Sequence, residues 1–146
     1  MEKVKLVKKG EVNFQLLMDE VKKNPEIEEC GAIVSFMGIV RGVGHDGTRV
    51  KELYYEAAVD EAVKSLKEIR EQTLKKNKDV KELLIYHVID TLKPGEETIY
   101  ILAAGKHRQD AFNASIQALE EVKKKPLIWK KEITEKQAYW VSELKK

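Results

Sequence analysis

Apolar and polar positions repeat along this chain with two periods, and each change of period marks an element. Val4 to Val7 is a short alternation, read as an edge strand. Phe14, Leu17, Met18 and Val21 then recur at spacings of three and four. That predicts an amphipathic helix over 13–23, with Asn13 as its N-cap and Pro25 as its stop. Gly31 to Val40 is a nearly unbroken apolar run rich in β-branched residues, which predicts a strand buried on both faces. Gly38 inside it predicts a bulge or a close backbone approach.

The second half of the chain repeats the theme. Val50 to Tyr55 reads as a strand, and Ala57 to Leu74 as the longest helix, with Ala62, Leu66, Ile69 and Thr73 on one face. A polar turn over Lys75 to Asp79 leads into a strand from Val80 to Ile89. Proline and glycine in Lys93-Pro94-Gly95-Glu96 predict a turn, read as a hairpin, and Thr98 to Ala104 is the strand beyond it. From Asp110 to Val122, the residues Phe112, Ser115, Ile116, Leu119 and Val122 again follow helical spacing. Pro126 cannot continue that helix and biases Lys125 away from helical angles, so Leu127-Ile128-Trp129 starts an extended segment. Strands mixed with three helices imply an α+β fold with a mainly antiparallel sheet.

Length and composition narrow the picture. At 146 residues the chain is expected to form a single domain over 1–146. Charged residues make up 36%, yet the formal net charge is only +2, which argues against a dedicated nucleic-acid binder. The single cysteine, Cys30, excludes an intrachain disulfide and a cysteine-pair metal site. No apolar run approaches the ~18 residues of a membrane span, and the N-terminus lacks a signal-peptide core. A cytoplasmic location is expected.

Two basic clusters carry the candidate chemistry. Lys123 sits in the last turn before Pro126, and Lys130 lies on or just after the extended segment that follows. Cations on the two sides of one tight turn can converge on a single anion. Lysines at a helix C-terminus are also favoured by the macrodipole alone, so spacing leaves both readings open. The second cluster, Lys106-His107-Arg108, stands where a helix begins. Cations there oppose the macrodipole, unless an anion binds at the free N–H groups. Arg108 and Lys123 are 15 residues apart on one expected helix, roughly 22 Å at ~1.5 Å per residue. One small ligand cannot touch both. Either there are two sites, or His107 and Arg108 serve a neighbouring subunit, which implies a homodimer with composite sites.

Arg41 ends the Gly31–Val40 strand and opens the glycine-rich stretch Gly42 to Thr48. No Gly-Lys-Ser/Thr follows, so it is not a nucleotide P-loop. An exposed hairpin connection is favoured over a lid. His87, alone in a strand, is read as a packed or hydrogen-bonded core group.

Taken in order, these residues resemble the large, catalytic subunit of molybdopterin synthase, the MoaE family. The resemblance rests on Cys30 to Arg41, on Leu53-Tyr54-Tyr55-Glu56-Ala57, on His107-Arg108, and on Lys123 and Lys130 with Trp129-Lys130-Lys131-Glu132. It extends from about residue 12 to 141. The resemblance implies an α/β-hammerhead type fold and a central homodimer. Each subunit would take up a small ubiquitin-like sulfur carrier, whose C-terminal Gly-Gly thiocarboxylate enters the site. The implied substrate is cyclic pyranopterin monophosphate, which receives two sulfurs as the molybdopterin dithiolene. The family's essential lysines fall on Lys123 and Lys130, its phosphate-binding residues on Arg41, His107 and Arg108, and its pocket aromatic on Phe36. It implies no cofactor and no metal. Pro126 departs from the family pattern, standing three rather than two residues before Trp129, and the C-terminal tail is shorter than usual.

The residue types suit that chemistry. Two anions must meet, so the site needs several positive charges. An arginine fork grips phosphate with parallel donors. A lysine amine titrates near about 10.4 when free, and neighbouring cations push it toward neutrality. Such an amine can act as base, acid or nucleophile, and its charged form stabilises an oxyanion. Lys123 is read as the covalent or general-base residue and Lys130 as its charge partner, an order the residues themselves leave open. The competing readings are a non-catalytic scaffold for a ubiquitin-like partner, and weak RNA binding through Lys123–Lys131, which the near-neutral charge disfavours.

Overall fold

A computed structural model describes residues 1–125 and 127–141. The elements in order are β1 (Val4–Val7), α1 (Phe14–Lys22), a short 3-10 turn (Ile27–Glu29), β2 (Ala32–Ile39), β3 (Val50–Ala57), α2 (Val59–Lys76), β4 (Val80–Val88), β5 (Thr91–Leu92), β6 (Glu97–Gly105), α3 (Arg108–Lys124), β7 (Ile128–Thr134) and β8 (Ala138–Trp140). The architecture is α+β, with two four-stranded sheets ordered β1-β4-β6-β2 and β5-β3-β7-β8. All pairings are antiparallel except β1 with β4, which run parallel.

The helices form where the periodicity places them. Asn13 caps α1, its side-chain oxygen accepting the Leu16 N–H at 2.8 Å. The buried face of α2 is Ala62, Leu66, Ile69 and Thr73, the stripe expected from spacing. Asp60 and Glu61 in its first turn and Lys75 and Lys76 in its last complement the macrodipole.

The core has two layers on either side of β4 and β6. Alternate residues of each strand point oppositely, so Leu84, Tyr86, Tyr100 and Leu102 pack with Leu17, Leu53 and Tyr55, while Leu83, Ile85, Ile101 and Ala103 pack with Leu66, Ile69, Ala114 and Ala118. These two strands are buried on both faces. β2 is not, contrary to its apolar run: it lies at the edge of the sheet, with Met37 41% and Ile39 56% exposed. An apolar run reports affinity for a covered surface, not whether both edges are paired. Gly38 meets both expectations. The β2–β6 register shifts there, and a Cβ would come within 2.6 Å of the Thr98 Oγ1.

The turn at Lys93–Glu96 forms, with Gly95 at φ +90° and the Glu96 N–H donating to the Lys93 carbonyl at 3.0 Å. It is not a hairpin, because β5 and β6 belong to different sheets. One buried ion cluster ties the N-terminal half to the sheet. The Glu82 carboxylate, fully buried, accepts from Lys3 Nζ (2.7 Å), Arg70 Nη2 (2.8 Å) and Asn24 Nδ2 (3.0 Å). Burial pushes its pKa up, but these donors and the Leu83 N–H outweigh that and hold it below the usual carboxylate value.

Candidate active site

The end of α3, the edge strand β2 and the second sheet enclose a cavity of about 530 Å³. Phe36 and Arg41 reach it from β2 and its end, Lys123 from the last turn of α3, and Lys130 and Glu132 from β7. Four of the six expected site residues thus share one space. Local chemistry explains each position. Lys125 caps α3 in an extended conformation (φ −81°, ψ 127°), as a residue before proline should, and this ends the helix just past Lys123. The following Pro126 lies outside the described residues.

On β7 the period of two separates neighbouring lysines. Lys130 and Glu132 line the cavity. Lys131 turns the other way and sets its ammonium 5.8 Å from the Trp140 ring centroid, a cation–π contact. Lys130 is the cross-strand partner of Tyr55 on β3. Tyr55 in turn places its ring 4.8 Å from His87, edge to face at 70°. Burial pushes the Tyr55 hydroxyl up to about 12, partly offset by its hydrogen bond with Thr98.

His87 is buried as expected, with Nδ1 2.9 Å from the Val88 carbonyl oxygen. It is also a cavity-lining residue, which its place in an apolar strand did not reveal. Burial drives its pKa down to about 4; the Val88 bond opposes this and the nearby Lys130 charge adds to it. The imidazole is therefore neutral near pH 7.

Glu132 was expected only as the end of the Trp129-Lys130-Lys131-Glu132 stretch, with no role of its own, and His45 carried no expectation. Glu132 is buried and its Oε1 accepts the His45 backbone N–H at 2.9 Å and the Tyr139 hydroxyl. Its Oε2 stands 3.1 Å from His45 Nδ1. Burial raises the Glu132 carboxyl, but the Tyr139 and His45 donors prevail and leave it below the ordinary value. Glu132 was within reach of sequence reasoning, since it follows Lys130 by two on a strand. His45 was not, because its place depends on the path of a loop. That loop joins β2 to β3, which belong to different sheets, so it is not a hairpin between them; it closes only on itself, through a Val43–Arg49 bridge and the Gly44 N–H to the Thr48 carbonyl at 2.8 Å. Gly44 is buried against Glu132 and Tyr139, where a Cβ would collide.

His107 and Arg108 stand apart. They are exposed at the N-terminal end of α3, while Lys123 is in its last turn, so about 22 Å separates Arg108 from Lys123. Asp110 offsets the local charge, accepting the His107 backbone N–H at 3.1 Å with its ring Nδ1 3.3 Å away. Asp79 joins them, so that one ligand atom from each of Asp79, His107 and Asp110 lies within 4.8 Å of the others. Histidines that look scattered in sequence can thus gain carboxylate neighbours in space.

The chain as a whole is similar to known proteins. The model of the MoaE protein family matches residues 7–125. A molybdopterin synthase catalytic subunit from Pyrococcus abyssi is 37% identical over 139 residues, 95% of this chain and 90% of that protein. The crystal structure of molybdopterin synthase from Staphylococcus aureus superposes with a TM-score of 0.84 at 31% identity, covering 96% of this chain and 97% of that one. A complex of subunits 1 and 2 of molybdopterin-converting factor from Helicobacter pylori shares the fold, with a TM-score of 0.72 at 22% identity, covering 97% of this chain and 92% of that one. Other curated relatives are longer, and the chain spans as little as 29% of some. The chain belongs to the MoaE protein family. Its relatives carry the name molybdopterin synthase catalytic subunit, and its α+β fold is shared with the Staphylococcus aureus structure. Lys130 and Glu132 lie beyond the residues that the family model matches.

Proposed function

We propose that this cavity moves sulfur from the C-terminal Gly-Gly thiocarboxylate of a small ubiquitin-like carrier onto cyclic pyranopterin monophosphate. The activity is that of a molybdopterin synthase catalytic subunit, an enzyme of molybdopterin biosynthesis. In each transfer a carbon–sulfur bond forms on the pterin side chain as a carbon–oxygen bond there breaks; water then cleaves the acyl–sulfur bond and leaves the carrier as a carboxylate, and two transfers complete the dithiolene. Arg41 holds the phosphate, Phe36 packs the pterin, Lys123 is the covalent or general-base residue, and Lys130 supplies the charge that its anionic partners need. The observation that carries this reading is Lys123 and Lys130, from a helix end and a strand, lining one cavity with Arg41. The chain acts as one catalytic domain, and a cytoplasmic setting suits the free Cys30 thiol.

The site is completed by a second copy of the chain. Phe112 and Ile116 are 49% and 55% exposed on α3, between Arg108 and Lys123. Two such helices packed antiparallel about Ile116 would set Arg108 and His107 of one copy against Lys123 of the other. The exposed edge of β2 lies on the same side of the fold as α3, which packs on it. With a carrier on each copy the assembly is a heterotetramer. Incubation with thiocarboxylated carrier and the pterin precursor tests the activity by mass. Product that carries two sulfurs in place of side-chain oxygen supports it, and unchanged precursor with folded protein overturns it.

A further inference from the structure

His87 is the one buried imidazole in the cavity floor, and neither the phosphate grip nor the lysine chemistry above uses it. It interrupts a strand of apolar neighbours, from Leu83 to Ile85, in the most buried layer of the fold. A polar ring there is costly unless its nitrogens have partners. One partner is plain. A carbonyl oxygen only accepts, so the Nδ1 that lies 2.9 Å from the Val88 oxygen carries the hydrogen and donates it. In a neutral ring the other nitrogen, Nε2, is then a lone-pair acceptor.

The neighbours of that ring identify what it accepts from. Tyr55 sets its ring centroid 4.8 Å from that of His87, at 70°, and is paired across the strands with Lys130. Directly opposed residues on one face have Cβ atoms about 5 Å apart, so the Lys130 stem and the Tyr55 ring lie side by side. The Tyr55 oxygen accepts from Thr98. Lys130 and His87 both line the cavity. We propose that His87 is a positioning residue: its Nε2 accepts a hydrogen bond from the Lys130 ammonium and fixes where that charge stands in the cavity. This rests on the sulfur-transfer reading given above and divides its labour. Lys130, held by a neutral acceptor, serves as the fixed charge, and Lys123 is the amine left for the covalent or proton-transfer step.

Two substitutions separate this role from a structural one. In His87→Gln the side-chain carbonyl can reach the Nε2 position and still accept. In His87→Asn the amide can donate to the Val88 carbonyl as Nδ1 does, but nothing reaches Nε2. The expected result is a kcat within about threefold of wild type for the glutamine variant. For the asparagine variant the expected loss is about ten- to a hundredfold, the range for losing a hydrogen bond to a charged group, with the carrier KM little changed. Equal losses in both variants, or an asparagine variant more active than the glutamine one, would overturn the proposal. Lysine-ammonium NMR on the wild-type protein gives a readout independent of variant folding. A slowly exchanging Lys130 signal is expected, and its absence counts against the hydrogen bond. Lys130→Ala is the control for the underlying reading: if it stays fully active the sulfur-transfer site itself is wrong, whereas its inactivity beside an active His87→Asn removes only the role of His87.

Discussion

Mixing two inactive variants of this chain should restore a defined fraction of activity. His107→Ala removes a group at the start of α3, and Lys123→Ala removes one in its last turn, about 22 Å away along the same helix. Long side chains recover only a small part of that gap, so the two groups cannot share a substrate within one subunit. If the site is shared across a two-fold axis, a mixed dimer holds one site with both groups intact and one with both lost. Random reassortment of equal amounts gives about half mixed dimers, so about a quarter of the wild-type sites return. The assay is the initial rate of sulfur transfer after the two purified variants are unfolded, mixed and refolded together, against each variant refolded alone. Recovery near a quarter supports the shared site. No recovery, with mixed dimers verified by native mass spectrometry, would refute the geometry, because every site would then carry one lesion.

Further outcomes follow from contacts already described. Glu82→Gln removes the buried charge that binds Lys3 and Arg70, and should cost about 3 kcal/mol in chemical denaturation at pH 7, at the low end for breaking a buried pair because both partners can partly rehydrate. The wild-type Glu82 pKa is held below its unfolded value, so its stabilising effect is present above about pH 4.5 and fades as pH falls through the folded value; the gap between wild type and variant should close in acid. Gly38→Ala forces a Cβ against Thr98 and Ile99 and should destabilise by about 1–3 kcal/mol, read as a lower thermal midpoint. Lys131→Ala should keep sulfur transfer within a few-fold of wild type, while Lys130→Ala should lose about a hundredfold or more, since strand period places only Lys130 in the cavity.

Helices were the most legible part of the fold. The buried stripe of α2 and the Asn13 cap follow from spacing and from one side chain, both local properties. Strand rank was not legible. The run through Val34 and Phe36 is as apolar as that of β4, yet β2 is an edge strand and β4 is central, because pairing is decided by segments far away in sequence. The parallel pairing of β1 with β4 is hidden for the same reason in a strand of four residues. Within the site, Lys123 and Lys130 could be found because proline and helix period place them on either side of one turn. The cavity-facing side of His87 could not, since it is set by the contact with Tyr55 from the other sheet. The separation of Arg108 from Lys123 was readable, because a continuous helix converts residue count directly into distance.

The most direct test of Lys123 as the covalent or general-base residue is the single-turnover rate of Lys123→Arg with thiocarboxylated carrier and pterin precursor. Arginine keeps the positive charge and the length but stays protonated throughout the working pH range. The account predicts a loss of about a hundredfold or more, with carrier binding retained. A rate near that of the wild type would contradict it.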